Sequence, residues 1–226
     1  NGGTGTDSTA NELVIDTTAP AVTVASLETN DQRPALSGTV DDPAAAISVD
    51  VGGQTGLIAT NNTDGTWTLA DDTINPALAA NTYNVSVTAT DGVGNAGNDV
   101  SANELIIDVT APTVSVATVL TNDNTPALSG TVNDNNAVVS VTVNGQNRTA
   151  TNNGGGTWTL ADNRLAPLAD DTYEVAVSAT DRAGNTGNDG TSMELTVDTS
   201  APAVTVDTLA TADSRPALGG MVDDPA

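Results

Sequence analysis

The sequence predicts an all-β chain built from tandem β-sandwich domains of about seven strands each, and three observations lead to this prediction. The 226 residues repeat themselves with steps of 92 and then 90 residues. Within each repeat, short apolar or alternating segments follow one another between Gly, Pro, Asn and Asp residues. No segment has apolar residues at helical spacing. Strands are therefore expected throughout.

Four motifs recur in the same order along the chain. They are DTTAP, DVTAP and DTSAP at 16–20, 108–112 and 198–202; RPALSGTV and TPALSGTV at 33–40 and 125–132; GTWTLAD at 65–71 and 156–162; and TYNVSVTATDGVGN and TYEVAVSATDRAGN at 82–95 and 172–185. The phase of the repeat predicts four segments. These are the last strand of a preceding repeat at 1–18, repeats at 19–109 and 110–199, and the first strands of a following repeat at 200–226.

The first complete repeat illustrates the strand prediction. Its segments are A at 21–26, B at 35–40, C at 46–51, C′ at 56–60, E at 66–70, F at 82–90 and G at 101–107. Strand F alternates strictly, which places Tyr83, Val85, Val87 and Ala89 on one face. Seven short strands in a domain of this size are typical of an immunoglobulin-like sandwich, in which two sheets enclose one core.

The aromatic residues have structural positions in this scheme. Trp67 and Trp158 lie on strand E and are expected to fill the two cores in the absence of a disulfide. Tyr83 and Tyr173 begin strand F after a turn, which is the position of a tyrosine corner. We therefore expect these four side chains to be internal.

The composition excludes several functions. The chain has no Cys, His or Lys, so it offers no disulfide, no thiolate or imidazole metal site and no nucleophile activated by His. Its 29 acidic residues against 5 Arg give a net charge of −24, which repels nucleic acids and anionic membrane surfaces. No apolar run is long enough for a membrane span, so direct membrane insertion is not expected.

Four motifs of this chain, taken together, resemble the bacterial Ig-like repeats of giant surface adhesins. They are the D-x-T-x-P linker, N-D-x-x-P-A-L-S-G-T-V, G-T-W-T-L and T-Y-x-V-x-V-x-A-T-D-x-x-G-N. These include adhesins exported by type I systems with RTX tails. The resemblance implies extender repeats, stiffened by calcium, that hold a distal ligand-binding region away from the bacterial cell surface for adhesion or biofilm formation. It also implies an extracellular, monomeric rod of domains arranged end to end, in which each repeat has its neighbours in the same chain as partners.

Acidic residues in the loops are candidate calcium ligands. Alternating strand directions place the incoming linker and the BC, C′E and FG loops at one pole of each repeat, and the AB, CC′ and EF loops at the other. Oxygen donors without nitrogen or sulfur ligands suit Ca²⁺ better than a transition metal. The candidate ligands are Asp108, Asp134 and Asp181 at the second repeat, their expected counterparts Asp16, Asp41 and Asp91 at the first, Asp31 in an AB loop, and Asp198 in the last linker.

Other readings of the acidic residues remain open. Asp and Asn cap turns through their own side chains, so the A-T-D-x-x-G-N loop can be stable without metal. Pairs such as Asp41 with Asp42 or Asp170 with Asp171 could serve glycoside hydrolysis, but the positions recur along the chain, which argues against an enzyme. A carbohydrate- or protein-binding module is the second alternative, and it would need an exposed Trp.

Overall fold

The computed structural model describes residues 13–223, in which all the regular elements are β-strands. These residues divide into two compact units, unit 1 ending at Val109 and unit 2 beginning at Thr110. The predicted all-β fold of tandem sandwiches is confirmed. No helix in this part of the chain is long and apolar enough to cross a membrane.

Unit 1 contains nine strands and unit 2 contains eleven, followed by a last pair. The strands of unit 1 are β1 (Leu27–Thr29), β2 (Leu36–Thr39), β3 (Ala46–Val51), β4 (Gln54–Asn61), β5 (Thr66–Leu69), β6 (Asn81–Tyr83), β7 (Val85–Thr90), β8 (Ala96–Asn98) and β9 (Leu105–Ile107). Those of unit 2 are β10 (Val114–Val116), β11 (Val119–Thr121), β12 (Leu128–Val132), β13 (Val138–Val143), β14 (Gln146–Thr149), β15 (Thr151–Gly154), β16 (Thr157–Leu160), β17 (Asp171–Tyr173), β18 (Val175–Thr180), β19 (Thr186–Asn188) and β20 (Leu195–Val197). The last pair is β21 (Ala203–Val206) and β22 (Gly220–Asp223).

Two layers enclose the core of unit 2. One layer has the strand order β10-β12-β16-β15, and the other contains β14-β13-β18-β19 together with β11-β20-β17. Alternate residues of both layers point inward and form one apolar cluster around Trp158. Unit 1 has a corresponding cluster around Trp67. Each unit therefore has its own core, as a sandwich domain requires.

Strand A is not the single strand that the alternation at 21–26 predicts. Its first half pairs antiparallel with strand B, through the Val22–Val40 bridge in unit 1 and through β10 and β12 in unit 2. Its second half crosses to the other layer and pairs parallel with strand G, as β1 with β9 and as β11 with β20. Strand A thus closes one edge of both layers.

Strands F and G are also interrupted, and side chains bridge the gap between them. In unit 1 the amide of Val85 donates to Glu104 Oε2 (2.9 Å), while Asn84 Oδ1 accepts from the amide of Asn103 (2.9 Å). Asn103 has a left-handed backbone, with φ of 66°, so the ladder between F and G cannot continue through it. Two side chains thus take the place of ladder carbonyls.

Unit 2 has the same bridge with different residues. The amide of Val175 donates to Glu194 Oε2 (3.1 Å), and that of Met193 donates to Glu174 Oε2 (3.2 Å). Glu104 and Glu194 are only 3 % and 4 % exposed. Their Oε1 atoms are buried and have no hydrogen-bond partner among the described residues.

The four aromatic residues occupy their predicted places: the two tryptophans lie inside the cores, and the two tyrosines are partly buried and pack against them. Both Trp side chains are fully buried, and their Nε1 atoms donate to carbonyls of strand A at 2.8 Å, Trp67 to Thr23 and Trp158 to Ser115. The hydroxyls of the two half-buried tyrosines donate to the carbonyls four residues earlier at 3.0 Å, which is the tyrosine-corner contact.

A glycine on strand B makes room for the contact between strand A and the tryptophan. A Cβ at Gly130 would lie 1.9 Å from the carbonyl oxygen of Ser115 and 2.7 Å from Trp158 Nε1. Gly38 has the same surroundings in unit 1. A glycine is thus required at this position in both units.

Only part of the predicted terminal segments falls within the described residues. Strands β21 and β22 pair antiparallel, Val204 with Val222, just as Val114 pairs with Val132 in unit 2. At the other end, residues 13–15 belong to no strand, and residues 1–12 of the strand predicted at 1–18 lie outside the described range, as do residues 224–226. The boundaries of the four segments stay a prediction.

Candidate cation sites at the ends of the units

The upper pole of unit 1 is the end at which the incoming linker meets the BC and FG loops. Asn95 of the FG loop donates from Nδ2 to the carbonyl of Asp16 (3.1 Å), and the amide of Ala21 donates to Asp41 Oδ1 (2.8 Å). Pro20 is buried, and a Cβ at Gly97 would lie 1.8 Å from its carbonyl oxygen. The linker is therefore fixed to the unit that follows it.

Four carboxylates surround one cavity at this pole. The cavity has a volume of about 250 Å³ and is lined by Asp16, Asp41, Asp42 and Asp91, together with residues 18–20 of the linker. Three of these acids are among the predicted ligands, so the structure brings together the residues that the strand directions place at one pole. Asp42 was not among the predicted ligands.

Asp91 is capped by its own loop. Its Oδ1 accepts from the amides of Val93 (2.9 Å), Gly94 (2.7 Å) and Asn95 (2.8 Å), and its Oδ2 accepts from Asn95 Nδ2 (2.7 Å). Burial acts to raise the pKa of Asp91, but the hydrogen bonds from the side chain and amide of Asn95 and from the other two amides outweigh it and hold this pKa below the ordinary value. The loop is satisfied by its own donors, as the alternative reading expects.

The other three acids each use only one oxygen in hydrogen bonds with described residues. Asp16 Oδ1 accepts from the amide of Thr18 (3.0 Å), Asp41 Oδ1 from that of Ala21, and Asp42 Oδ1 from that of Ala44 (2.8 Å). Their second oxygens have no donor within residues 13–223, and they are available to a ligand in the cavity.

The donor chemistry of this pole suits a hard cation, because carboxylate and carbonyl oxygens are the atoms offered. The arrangement is not a preformed coordination sphere, however. Within residues 13–223, no three acidic side chains are grouped closely enough to hold a metal ion. A cation would have to draw these carboxylates together.

Unit 2 has one carboxylate fewer in its BC loop. Asn133 Oδ1 accepts from the amide of Thr113 (2.8 Å), the contact that Asp41 makes in unit 1. Asp134 accepts from the amide of Asn136 (2.7 Å), as Asp42 does from the amide of Ala44. The expected equivalence of Asp134 with Asp41 is therefore wrong by one residue, because the first Asp of the pair is replaced by Asn133.

Two further predicted ligands have clear local roles. Asp181 is capped in the same way as Asp91, by the amide (2.8 Å) and Nδ2 (2.9 Å) of Asn185. Asp108 follows strand β9, and its amide donates to the carbonyl of Thr29 (3.0 Å).

The lower pole is the end of a unit at which its AB loop meets the segment between strands E and F. In unit 1 the amides of Asp72 and Leu78 donate to the carbonyls of Arg33 (3.0 Å) and Gln32 (2.9 Å). Asp31 lies here and accepts from the amide of Arg33 (2.8 Å). Asp31 therefore belongs to the other end of unit 1 from the cavity around Asp16.

Asp198 belongs to a second acidic cavity, at the lower pole of unit 2. This cavity of about 270 Å³ is lined by Asp170, Asp171 and Asp198 together with Thr172, Thr196, Val197 and Ser200. Asp170 is not among the predicted metal ligands, and the sequence points to it only as a member of the pair with Asp171. The available signal was the Asp-Asp pair at 170–171, where the first repeat has Ala80 and Asn81.

Comparison with known proteins gives a family and several structural likenesses. The bacterial Ig-like domain family matches residues 22–110 and again residues 110–199. No curated protein sequence matches the chain.

Among solved structures, the fibronectin(III)-like modules of Clostridium thermocellum CbhA are 13 % identical, with 78 % of this chain and 94 % of theirs covered and a TM-score of 0.46. A 1.5-MDa bacterial ice-binding adhesin is 22 % identical, with coverage of 85 % and 70 % and a TM-score of 0.42. A tetra-tandem repeat from the extending region of a large adhesion protein is 34 % identical over 87 % of this chain and 53 % of its own, with a TM-score of 0.37.

The family assignment follows from two consecutive matches that together include most of the chain and correspond to the repeat in its sequence. The family description concerns a domain type and specifies no catalytic activity. The chain belongs to the bacterial Ig-like domain family.

Proposed function

We propose that this chain is a piece of the extender region of a bacterial cell-surface adhesin, located outside the cell, where its repeats hold a distal ligand-binding region away from the surface. The observation that carries this proposal is that the two units have the same core contacts and the same loop contacts at corresponding positions. Trp67 and Trp158 make the same bond to strand A, and Asp91 and Asp181 cap the same loop. A repeated scaffold adds length, whereas catalytic sites are not usually duplicated along an array.

The surface chemistry favours a spacer over a binding module. The chain has four aromatic residues, two Trp and two Tyr. Both tryptophans are 0 % exposed, and both tyrosine hydroxyls are bonded to backbone. Neither tryptophan is thus available for stacking on a sugar ring. Weak iodide quenching of the tryptophan emission is expected, and strong quenching would favour the carbohydrate- or protein-binding alternative.

Calcium is the second part of the proposal, as the ion that stiffens the repeat array at its junctions. At the upper pole of unit 1, Asp16, Asp41 and Asp42 line one cavity together with Asp91. Each of the first three has one carboxylate oxygen that accepts no hydrogen bond from residues 13–223. Bringing these charges together without a cation is unfavourable in a chain with a net charge of −24. Asp134 and Asp181 of unit 2, and the linker residues Asp108 and Asp198, extend the proposal by repetition.

Thermal melts in chelator, in magnesium and in millimolar calcium test the cation. At a calcium concentration near 100 times Kd, the bound state gains roughly 2.7 kcal/mol, which raises the melting temperature by about 11–22 °C for a domain of this size. Magnesium should give less, since it demands a tighter octahedron. Equal melting temperatures in all three buffers would contradict the calcium proposal.

Unit 2 supplies a well-matched variant for this test. Asp41→Asn removes one charge but keeps the acceptor for the amide of Ala21, because Asn133 makes that bond in unit 2. The variant should keep the melting temperature in chelator and lose much of the calcium shift. Asp50→Asn is the control, since Asp50 accepts from the amide of Gly56 and does not line the cavity. If both variants lost the same part of the calcium-induced rise in melting temperature, that rise would depend on the net charge of the unit and not on a site at the cavity.

A further inference from the structure

Asp170 holds the linker that leaves unit 2. Its Oδ1 accepts from the amide (2.9 Å) and the hydroxyl (2.6 Å) of Thr199, and its Oδ2 accepts from the hydroxyl of Ser200 (2.8 Å). We propose that Asp170 is a clamp that locks this linker onto the lower pole of unit 2, and that the linker leaving unit 1 lacks such a clamp. The two linkers then differ in this contact although their sequences are similar.

The difference follows from two aligned positions. Asp170 stands three residues before Tyr173, and the residue three before Tyr83 is Ala80. Thr199 has Val109 as its counterpart in the first linker. An alanine methyl accepts no hydrogen bond and a valine side chain donates none, so the carboxylate acceptor of the clamp and one of its two hydroxyl donors are missing there. The two linkers share a backbone contact, in which the amides of Asp108 and Asp198 donate to the carbonyls of Thr29 and Thr121.

The clamp requires no cation. Two hydroxyls and one amide surround the Asp170 carboxylate, and hydrogen bonds to an ionised acceptor are among the stronger ones in proteins. Three hydrogen bonds hold the pKa of Asp170 below its ordinary value, and burial opposes them with a smaller effect. In order of decreasing effect, their donors are the hydroxyl of Thr199, the amide of Thr199 and the hydroxyl of Ser200. These donors compensate for the repulsion from Asp171 and Asp198, which line the same cavity.

A second turn inside the linker completes the lock. The amide of Ser200 donates to Asp198 Oδ1 (2.9 Å), so the backbone of residues 198–200 is closed on itself while Asp170 ties it to the unit. The consequence for an extender rests on the proposed function: the linker that leaves unit 2 is held by the Asp170 carboxylate at any calcium concentration, whereas the linker that leaves unit 1 has Ala80 at that position and gains no such contact.

Hydrogen exchange of the Thr199 amide, measured by NMR in excess chelator, tests the clamp. In Asp170→Ala this amide should exchange at least about tenfold faster than in the unaltered chain, the effect of losing roughly one hydrogen bond to a charged group. Core amides of β13 and β18 should keep their rates, which shows that unit 2 stays folded. Asp171→Ala is the matched control, because Asp171 lines the same cavity but its Oδ1 accepts from the amide of Thr172, not from the linker.

The converse variant transfers the clamp to unit 1. Ala80→Asp combined with Val109→Thr should slow exchange of the residue 109 amide by a similar factor. Unchanged exchange of Thr199 in Asp170→Ala would overturn the clamp, and unchanged exchange in the converse variant would overturn the claim that these positions distinguish the linkers. Neither result bears on the spacer function, which is tested by molecular dimensions.

Discussion

Glu194 offers the sharpest test of how the interior of each unit is held together. Glu194→Ala removes the acceptor of the Val175 amide, which is left buried at a cost of about 1–3 kcal/mol. The lost methylene adds about 0.8 kcal/mol, and removal of the unpartnered Oε1 offsets part of the total. We expect the free energy of unfolding of unit 2 to fall by about 2–3 kcal/mol.

Native-state hydrogen exchange measures this loss unit by unit. Buried core strands exchange through the largest openings, so amides of β13, such as those of Val139 and Val141, report the stability of unit 2. They should exchange about 30- to 160-fold faster in Glu194→Ala, while amides of β3 in unit 1 keep their rates. Glu104→Ala should give the opposite pattern and is the internal control.

Glu194→Gln separates the hydrogen bond from the charge. Its amide oxygen can still accept from Val175, and it places no buried charge, so stability should stay within about 1 kcal/mol of the original. If Glu194→Gln lowered the free energy of unfolding as much as Glu194→Ala does, the argument would be refuted, because the charge and not the hydrogen bond would then be essential. Unchanged exchange of β13 in Glu194→Ala would refute it as well.

Further predictions concern a glycine and a carboxylate. Gly130→Ala should destabilise unit 2 by about 3 kcal/mol in urea denaturation, because its Cβ would lie 1.9 Å from the Ser115 carbonyl oxygen. Gly92→Ala, which meets nothing within 4 Å, should change stability by less than about 0.5 kcal/mol, and equal effects would contradict the packing argument. Hydrogen bonds from the hydroxyl and, second, from the amide of Thr66 lower the pKa of Asp64, against the opposing effect of burial. The stabilisation that Asp64 contributes is therefore present above its pKa in the unfolded chain, and it is lost as the pH falls through its pKa in the folded chain. In a carboxyl carbon NMR titration, Thr66→Val should raise the pKa of Asp64, and an unchanged value would show that the hydroxyl is unimportant.

The roles of the large side chains could be predicted from the sequence. A tryptophan at the start of a strand and a leucine two residues later lie on the same face of that strand, so this face is expected to point into the core, as it does for Trp67. A tyrosine after a turn is expected to make the corner contact with backbone, as Tyr83 does. The loop positions also followed from counting strand directions, which placed Asp16, Asp41 and Asp91 at one pole. Both inferences depend on local pattern and topology, which repetition makes easy to recognise.

The features that escaped prediction depend on tertiary pairing. Nothing in the residues near Ala25 indicates that strand A leaves one layer for the other, since the choice depends on strand G at β9. Glu104 and Glu194 look like surface residues beside apolar strands, and only their recurrence before a leucine in both repeats hinted at a buried role. The replacement of Asp41 by Asn133 is hard to predict because both BC loops are rich in Asp and Asn, and the offset shows only when Val40 and Val132 are placed in register.

Small-angle X-ray scattering of the chain in chelator and in millimolar calcium tests the central claim most directly. A sandwich of this size adds roughly 40 Å along its strands, so two aligned units predict a maximum dimension of at least about 80 Å with calcium. In chelator the account predicts a broader distance distribution, reflecting freer junctions. A compact particle, or identical profiles in the two buffers, would contradict a spacer stiffened by calcium.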